Sequence, residues 1–184
     1  MHLPDFRPVS YSRTTITELM IPAYANFGGK IHGGILLSLM DKVAYACASK
    51  HAGNYCVTVT VDGVEFRQPV DVGDLVSLMA SVNYVGRTSL LVGIKVIAEN
   101  VKTGQVKHTN TSYLTMVAKG EDDKPAQVPG LTLETPEDAR RFLEALQRRD
   151  IKQQSNQAFQ EAKSCHTVSQ DIELLRNERV KLTF

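Results

Sequence analysis

The feature that most limits how this chain can fold is the run from Ile35 to about Ser49, which reads as a helix that is apolar on almost every side. Ile35, Leu36, Leu37, Leu39, Met40, Val43, Ala44, Ala46, Cys47 and Ala48 leave no continuous polar face. A helix on a domain surface carries one apolar stripe and turns polar residues to water. A run this short does not span a bilayer, which takes about 20 residues. Burial within protein is the reading that remains, so other elements must wrap around the helix.

The wrapping elements are legible on both sides of it. Thr14 to Met20 is rich in β-branched residues and reads as a first strand. Pro22 and the stretch Asn26-Phe27-Gly28-Gly29 then interrupt regular structure. After the helix, Tyr55 to Phe66 alternates with period two: Tyr55, Val57, Val59 and Val61 face one way, Cys56, Thr58, Thr60 and Asp62 the other. Leu75 to Val85 and Thr88 to Ala98 are further strands, joined by a tight turn at Gly86-Arg87. A second turn, Asn100 to Gly104, leads into a strand from Val106 to Ala118. Strand, buried helix and four consecutive antiparallel strands predict an α+β fold, a curved antiparallel sheet wrapped around a long central helix, in preference to a sandwich.

Beyond Lys119 the composition turns polar. Glu121 to Pro125 reads as a surface linker, and Thr135-Pro136-Glu137-Asp138 as a helix start with a capping hydroxyl, proline at the first position and acids near the positive dipole end. That helix is predicted to run to about Arg149, with a last amphipathic turn at Ile172, Leu174 and Leu175. The expected organisation is a sheet-and-helix domain over residues 1–119, followed by a linker and mainly helical extension over 120–184.

Charge and cysteine usage remove several functions. The 21 lysines and arginines nearly cancel the 20 aspartates and glutamates, so no general field attracts nucleic acid. Met1 to Phe6 lacks the basic and apolar regions of a signal peptide, and no apolar run reaches the roughly 18 residues of a candidate membrane span. Neither a nucleic acid nor a membrane is expected as partner. The three cysteines, Cys47, Cys56 and Cys165, are odd in number and unpaired in spacing, which speaks against a disulfide framework or a zinc site and suits a reducing cytoplasm.

The polar residue that least fits its surroundings is Asp41, inside the apolar helix. A buried carboxylate needs a partner or a task. Leu37 and Tyr45, one turn to either side, offer no cation, and Lys42 points about 100° away around the helix. Two readings stand: Asp41 faces a solvated edge or another chain's backbone, or it is a functional carboxylate. The segment from Asn26 to Gly34 runs directly into the helix. Glycines there let a ligand approach the backbone, and the free amides of a helix start favour a developing oxyanion; equally, Gly33 and Gly34 can serve close packing alone. His32 at a helix start is more often a structural hydrogen-bonding group than a catalyst. No Gly-x-Ser-x-Gly elbow and no pair of histidines with zinc spacing is present, and Cys47 reads as a small core residue. In the turn Gly86-Arg87-Thr88-Ser89, an arginine with two hydroxyls is suited to holding phosphate, although a turn arginine is ordinarily just solvated.

Taken in order, these residues resemble a known family. Asn26, Gly29, His32, Gly33 and Gly34, with Asp41 seven residues beyond, are similar to the hotdog-fold acyl-CoA thioesterases, nearest the YciA-like and cytosolic acyl-CoA thioester hydrolase branch. The likeness continues through Val57 to Asp62, Val64, Phe66, Pro69, Val70, Val72, Gly73 and Asp74, reaches Gly86 to Ser89 and ends near Met116 to Ala118, covering roughly residues 12–119. The resemblance implies hydrolysis of acyl-CoA to a free acid and coenzyme A, without a metal or redox cofactor. It implies a homodimer joined edge to edge and commonly a trimer of dimers, a hexamer. The active site would lie at the dimer interface, with Asp41 from one chain, Asn26 from the other and the amides of Gly33 or Gly34 as oxyanion donors. Arg87 and Ser89, with Thr88, His32 and Thr60, are the implied contacts for coenzyme A or substrate. Many relatives carry Asn-Gly where this chain has Gly28-Gly29, which alters the loop but leaves Asn26 and Gly29 in register. A non-catalytic acyl-CoA sensor is the rival from another class, favoured only by the polar tail. A hotdog dehydratase is disfavoured because no matching His and acidic pair is present.

Overall fold

The computed structural model describes residues 5–165 and 171–183. Residues 1–4, read above for a leader, and the side chain of Cys165 lie outside the described residues. The chain divides into two compact units, residues 1–145 and 146–184.

The first unit holds the sheet and its helix. A short strand β1 (Phe6–Pro8) and one helical turn α1 (Val9–Ser12) precede β2 (Thr14–Leu19). The long helix α2 spans Gly33–Ala52, followed by β3 (Tyr55–Asp62), β4 (Asp74–Val85), β5 (Ser89–Asn100), β6 (Val106–Lys119) and a short β7 (Gly130–Thr132). α2 extends past the apolar run at both ends because both are capped. His32 accepts a hydrogen bond from the Gly34 amide at its start, and Gly53, at φ 73°, closes its end through the Ser49 carbonyl.

The five larger strands form one antiparallel sheet in the order β2-β4-β5-β6-β3. β4, β5 and β6 are the expected meander, but β3 is not the neighbour of β4. Residues 63–73 form an irregular crossing, with Gly63 and Gly73 at positive φ, that separates the two strands. β3 therefore pairs with the far side of β6 and becomes one edge of the sheet, and β2 becomes the other.

α2 lies along one face of this sheet. Val76, Leu78 and Val82 of β4, Leu90, Val92, Ile94 and Val96 of β5, and Leu114, Met116 and Ala118 of β6 close over Leu36, Leu39, Met40, Val43, Ala44, Cys47 and Ala48. Each fully buried Leu, Ile or Val contributes about 1.5–3 kcal/mol of burial. The enclosure is one-sided, however. Ser38, Asp41, Lys42 and Tyr45 are exposed, so the expectation that the helix is buried on all sides is corrected for the single chain, and Asp41 faces the solvated edge that one of its two readings allowed. The strands cover one side of the helix, and among the described residues no element covers the other.

Two devices tie the ends of the first unit together. β1 pairs in parallel with β7, and Arg7 Nη1 donates to the carbonyls of Lys50 (2.8 Å) and His51 (2.7 Å) at the end of α2. The helix α3 (Pro136–Cys165) starts as read, with Thr135 and Asp138 bonded reciprocally and Asp138, itself buried, paired with Arg13 at 2.5 Å. Phe142 meets Tyr84 of the sheet, ring centroids 5.4 Å apart. α3 continues beyond Arg149 to Cys165 because residues 137–165 contain neither glycine nor proline and carry i,i+3 and i,i+4 pairs such as Arg140–Glu137 and Gln157–Glu161. The second unit consists of the latter part of α3 and a 3-10 turn over Ile172–Asn177, where the last amphipathic turn was expected.

Candidate active site

Asp41 sits in the third turn of α2, exposed on the flank of the helix next to β3. Thr58 Oγ1 donates to Asp41 Oδ1 at 2.5 Å and lies 3.2 Å from the sulfur of the buried Met116. These two residues open a cleft of about 320 Å³ lined also by Lys42, Tyr45, Tyr55, Cys56 and Val57.

Thr58, rather than Thr60, reaches the carboxylate because β3 carries a bulge. Thr58 pairs with Met116 and Thr60 with Thr115, so Val59 is the extra residue and the in–out alternation changes phase across it. The strict alternation read from the sequence is corrected here. Thr58 shares the inner face with Met116, whereas Thr60 is carried to the outer face.

Asn26 stands in an exposed loop before α2. Its Oδ1 accepts from the amides of Gly28 (2.9 Å) and Lys30 (3.1 Å), and its own amide donates to the Lys30 carbonyl (2.7 Å). Gly29, at φ 76°, permits the turn that this ring of bonds needs. Lys30 is in turn fixed from below. Its ammonium bonds the Asp71 carboxylate, Ile31 N–H donates to the Val70 carbonyl, and Lys107 bridges Asp71 (3.2 Å) and the buried Asp74 (3.3 Å). The hydrogen bonds from Lys30 and then Lys107 hold the Asp71 carboxyl below the ordinary carboxylate range. Phe27, at the loop tip, is fully exposed.

At the helix start, His32 is the cap: its Nδ1 accepts the Gly34 N–H at 2.8 Å. That bond occupies one of the two amides considered for an oxyanion. The Gly33 amide has no partner among the described residues, and a side chain at Gly33 would stand 3.1 Å from the Phe66 ring. Eight residues of helix, about 12 Å of rise, separate Gly33 from Asp41. One chain therefore does not bring its own helix-start amide to its own carboxylate.

The hairpin Gly86-Arg87-Thr88-Ser89 is anchored by its backbone. Gly86 N–H donates to the Ser89 carbonyl (2.8 Å), Ala118 N–H to Thr88 (2.9 Å) and Val128 N–H to Arg87 (3.0 Å), leaving the Arg87 side chain exposed. Ser89 and Val57 flank the same β6 residue, Val117, so the hairpin lies at the Tyr55 end of the sheet with β6 between. Burial pushes the Cys47 thiol up to about 12 and raises that of Cys56, so neither is a thiolate near neutral pH. Among the described residues no cluster of His, Cys, Asp and Glu suits a metal ion, and no helix is long and apolar enough to cross a membrane.

Residues 28–105 match the model of the thioesterase superfamily. The chain is 44% identical over 150 residues to the VdlD protein of Helicobacter pylori, spanning 80% of this chain and 86% of that one. It is 34% identical over 148 residues to the uncharacterised acyl-CoA thioester hydrolase YkhA of Bacillus subtilis, again 80% and 86%. Among solved structures it matches an apo, hexameric acyl-CoA thioesterase with a TM-score of 0.80 and 37% identity, over 83% of this chain and 98% of that one. It also matches an acyl-CoA hydrolase of Staphylococcus aureus, solved with butyryl coenzyme A, coenzyme A and coenzyme A disulfide, with a TM-score of 0.78 and 28% identity over 86% and 97%. That hydrolase has further been solved with alanine in place of an aspartate, an asparagine or a threonine.

Proposed function

Because the chain belongs to the thioesterase superfamily and has the hotdog fold of the acyl-CoA thioester hydrolases, we propose that it hydrolyses acyl-CoA to a carboxylic acid and coenzyme A, with Asp41 as the reacting carboxylate. The observation that carries this reading is the Thr58–Asp41 hydrogen bond at the mouth of an open cleft. The intervals support it too. In the staphylococcal hydrolase the substituted asparagine, aspartate and threonine are spaced by fifteen and then seventeen positions. Asn26, Asp41 and Thr58 stand at those same intervals.

Thr58 donates to Oδ1 and so fixes the carboxylate plane, leaving Asp41 oxygen lone pairs turned to the cleft. Asp41 either takes a proton from water as the water attacks, or attacks the carbonyl itself to give an anhydride that water then opens. Both routes place a water oxygen in the acid and release the coenzyme A sulfur as thiol. The oxyanion needs a donor about 3 Å away, and the Gly33 amide of the same helix is about 12 Å off. The site is therefore built from two copies: Asp41 and Thr58 from one, Gly33 and Asn26 from its partner. Edge strand β3, with Tyr55, Val59 and Val61 exposed, is the surface that joins them. A trimer of such dimers follows the hexameric relative. His32 acts by capping α2, and Arg87, Thr88 and Ser89 hold the phosphates or pantetheine of coenzyme A. Thr60, on the outer face, serves as a substrate contact only from a neighbouring copy. No metal or redox cofactor, nucleic acid or membrane enters this reaction, and the unpaired buried thiols of Cys47 and Cys56 suit a reducing cytoplasm.

Asp41→Asn should lower thiol release from acyl-CoA by about 10²-fold or more with unchanged hydrodynamic size. Turnover close to that of the parent would remove Asp41 from the mechanism. Acyl-CoA bound by the parent protein without thiol release would make it a sensor instead.

A further inference from the structure

The face of the sheet turned from α2 carries a groove of about 820 Å³ between its strands and the first turns of α3. Val82 and Ile94 point into the core, so their neighbours Ser81 and Gly93, paired across β4 and β5, face outward into this groove. Three features coincide there. Asn83 is the extra residue of a bulge in β4, since Val82 pairs with Val92 and Tyr84 with Leu91; bulges re-aim side chains. Gly93 interrupts a central strand, and a side chain on it would stand 2.3 Å from Asn83 Nδ2, so the glycine makes room for that amide. Ser81 and Asn83 are each only 6% exposed. Ser81 Oγ donates to Asn83 Oδ1 at 2.9 Å and accepts from Arg141 Nη1 at 3.4 Å, which fixes the amide and the guanidinium around one oxygen. Asn83 Nδ2 itself has no partner among the described residues. Packing alone does not call for two polar side chains and an unbonded donor at so buried a place.

The charges around the groove do not cancel. Arg13 is paired with Asp138, and Arg140 and Arg141 with Glu137 and Glu144. The hydrogen bond from Arg140 holds the Glu137 carboxyl down at about 2, so that group is ionised and already occupied. Lys95, two residues beyond Gly93 on the same face, makes no ion pair among the described residues and supplies the surplus positive charge. The donors left over are Asn83 Nδ2, Arg141 Nη2 and Lys95 Nζ, and their complement is an anion rich in acceptors.

We propose that this groove binds a phosphorylated small molecule, its phosphate held by Asn83, Arg141 and Lys95, at a site separated from the Asp41 cleft by the sheet itself. Donors from two strands and a helix suit the several oxygens of a phosphate better than a flat carboxylate. The volume is that of a small-molecule site and leaves room for the organic group.

The test is isothermal titration calorimetry of the full chain with inorganic phosphate and with ADP, at fixed ionic strength. The parent is compared with Asn83→Asp, Arg141→Gln, Lys95→Gln and Arg87→Ala. The parent should bind, Asn83→Asp and Arg141→Gln should each weaken binding by about tenfold or more, and Lys95→Gln should weaken it in the same direction. Arg87→Ala, at the hairpin assigned to coenzyme A, should leave binding as it is. If Asn83→Asp does not fold, the two variants at the rim of the groove carry the test. A parent that binds neither probe at millimolar concentration overturns the proposal, whether or not a neighbouring copy fills the groove. Binding that Arg87→Ala abolishes and the groove variants leave intact overturns it as well, by placing the phosphate in the coenzyme A site.

Discussion

Thr58 is the residue whose role the sequence concealed most completely. By period two it shares a face with Thr60, and nothing in the composition marks Val59 as the extra residue that reverses the phase. A bulge depends on which β6 residue each β3 residue pairs with, and that pairing is a property of the register rather than of the strand's own pattern. Asp41 was legible because a carboxylate in an apolar helix is conspicuous, and the solvated edge was one of the two places its pattern allowed. A hydrogen bond to a charged group contributes about 1.5–3 kcal/mol. If Thr58 orients Asp41, Thr58→Val should lower kcat by about tenfold or more with little change in KM, and Thr58→Ser should restore most of it. Full activity in the valine variant with loss in the serine variant would show that the methyl group, and not the hydroxyl, matters.

Among the elements, the loop before α2 is the one that depends most on distant residues. Asn26 is held by Lys30, Lys30 by Asp71, and Asp71 shares Lys107 with the buried Asp74. Removing one partner of a buried ion pair typically costs 3–5 kcal/mol. Lys107→Met, which leaves the buried Asp74 carboxylate with the Asp71 N–H but no cation, should therefore lose about 3 kcal/mol in urea denaturation, and adding Asp74→Asn should recover part of it. The Asp71 carboxyl is lowered in the folded state, so its share of the stability is present above the unfolded value of 3.8 and is lost only as pH falls through the lower folded value. The five strands of the main sheet, by contrast, were legible, since alternating apolar residues and the two hairpin turns define them locally, whereas the three-residue β1 and β7 are too short to show a pattern. The crossing at residues 63–73 was not, because a long connection does not state which strand it returns beside. The likeness read from the sequence stopped near residue 119, yet the match to VdlD spans 150 residues, so part of the segment after the sheet is shared as well. Its polar, uneven pattern hid this.

For the whole molecule, the two sheet edges differ in a way that foretells assembly. β2 turns Thr15, Thr17 and a single large apolar residue, Leu19, to solvent, whereas β3 exposes Val59 and Val61 together with Tyr55. An exposed apolar edge invites another strand unless it is already paired. Val59→Lys should therefore yield monomers in analytical ultracentrifugation and abolish thioester hydrolysis in the same preparation, while an active monomer would separate catalysis from pairing. The clasp between the two ends of the first unit carries another consequence, for the order in which the molecule assembles itself. Contacts such as Ser10 to Glu134 join residues 124 positions apart, and closing a loop of that length costs on the order of 4 kcal/mol in chain entropy. By the same reasoning the Ser10–Glu134 clasp should close later than the Arg7 bonds to the end of α2, which join residues only 43 and 44 positions apart.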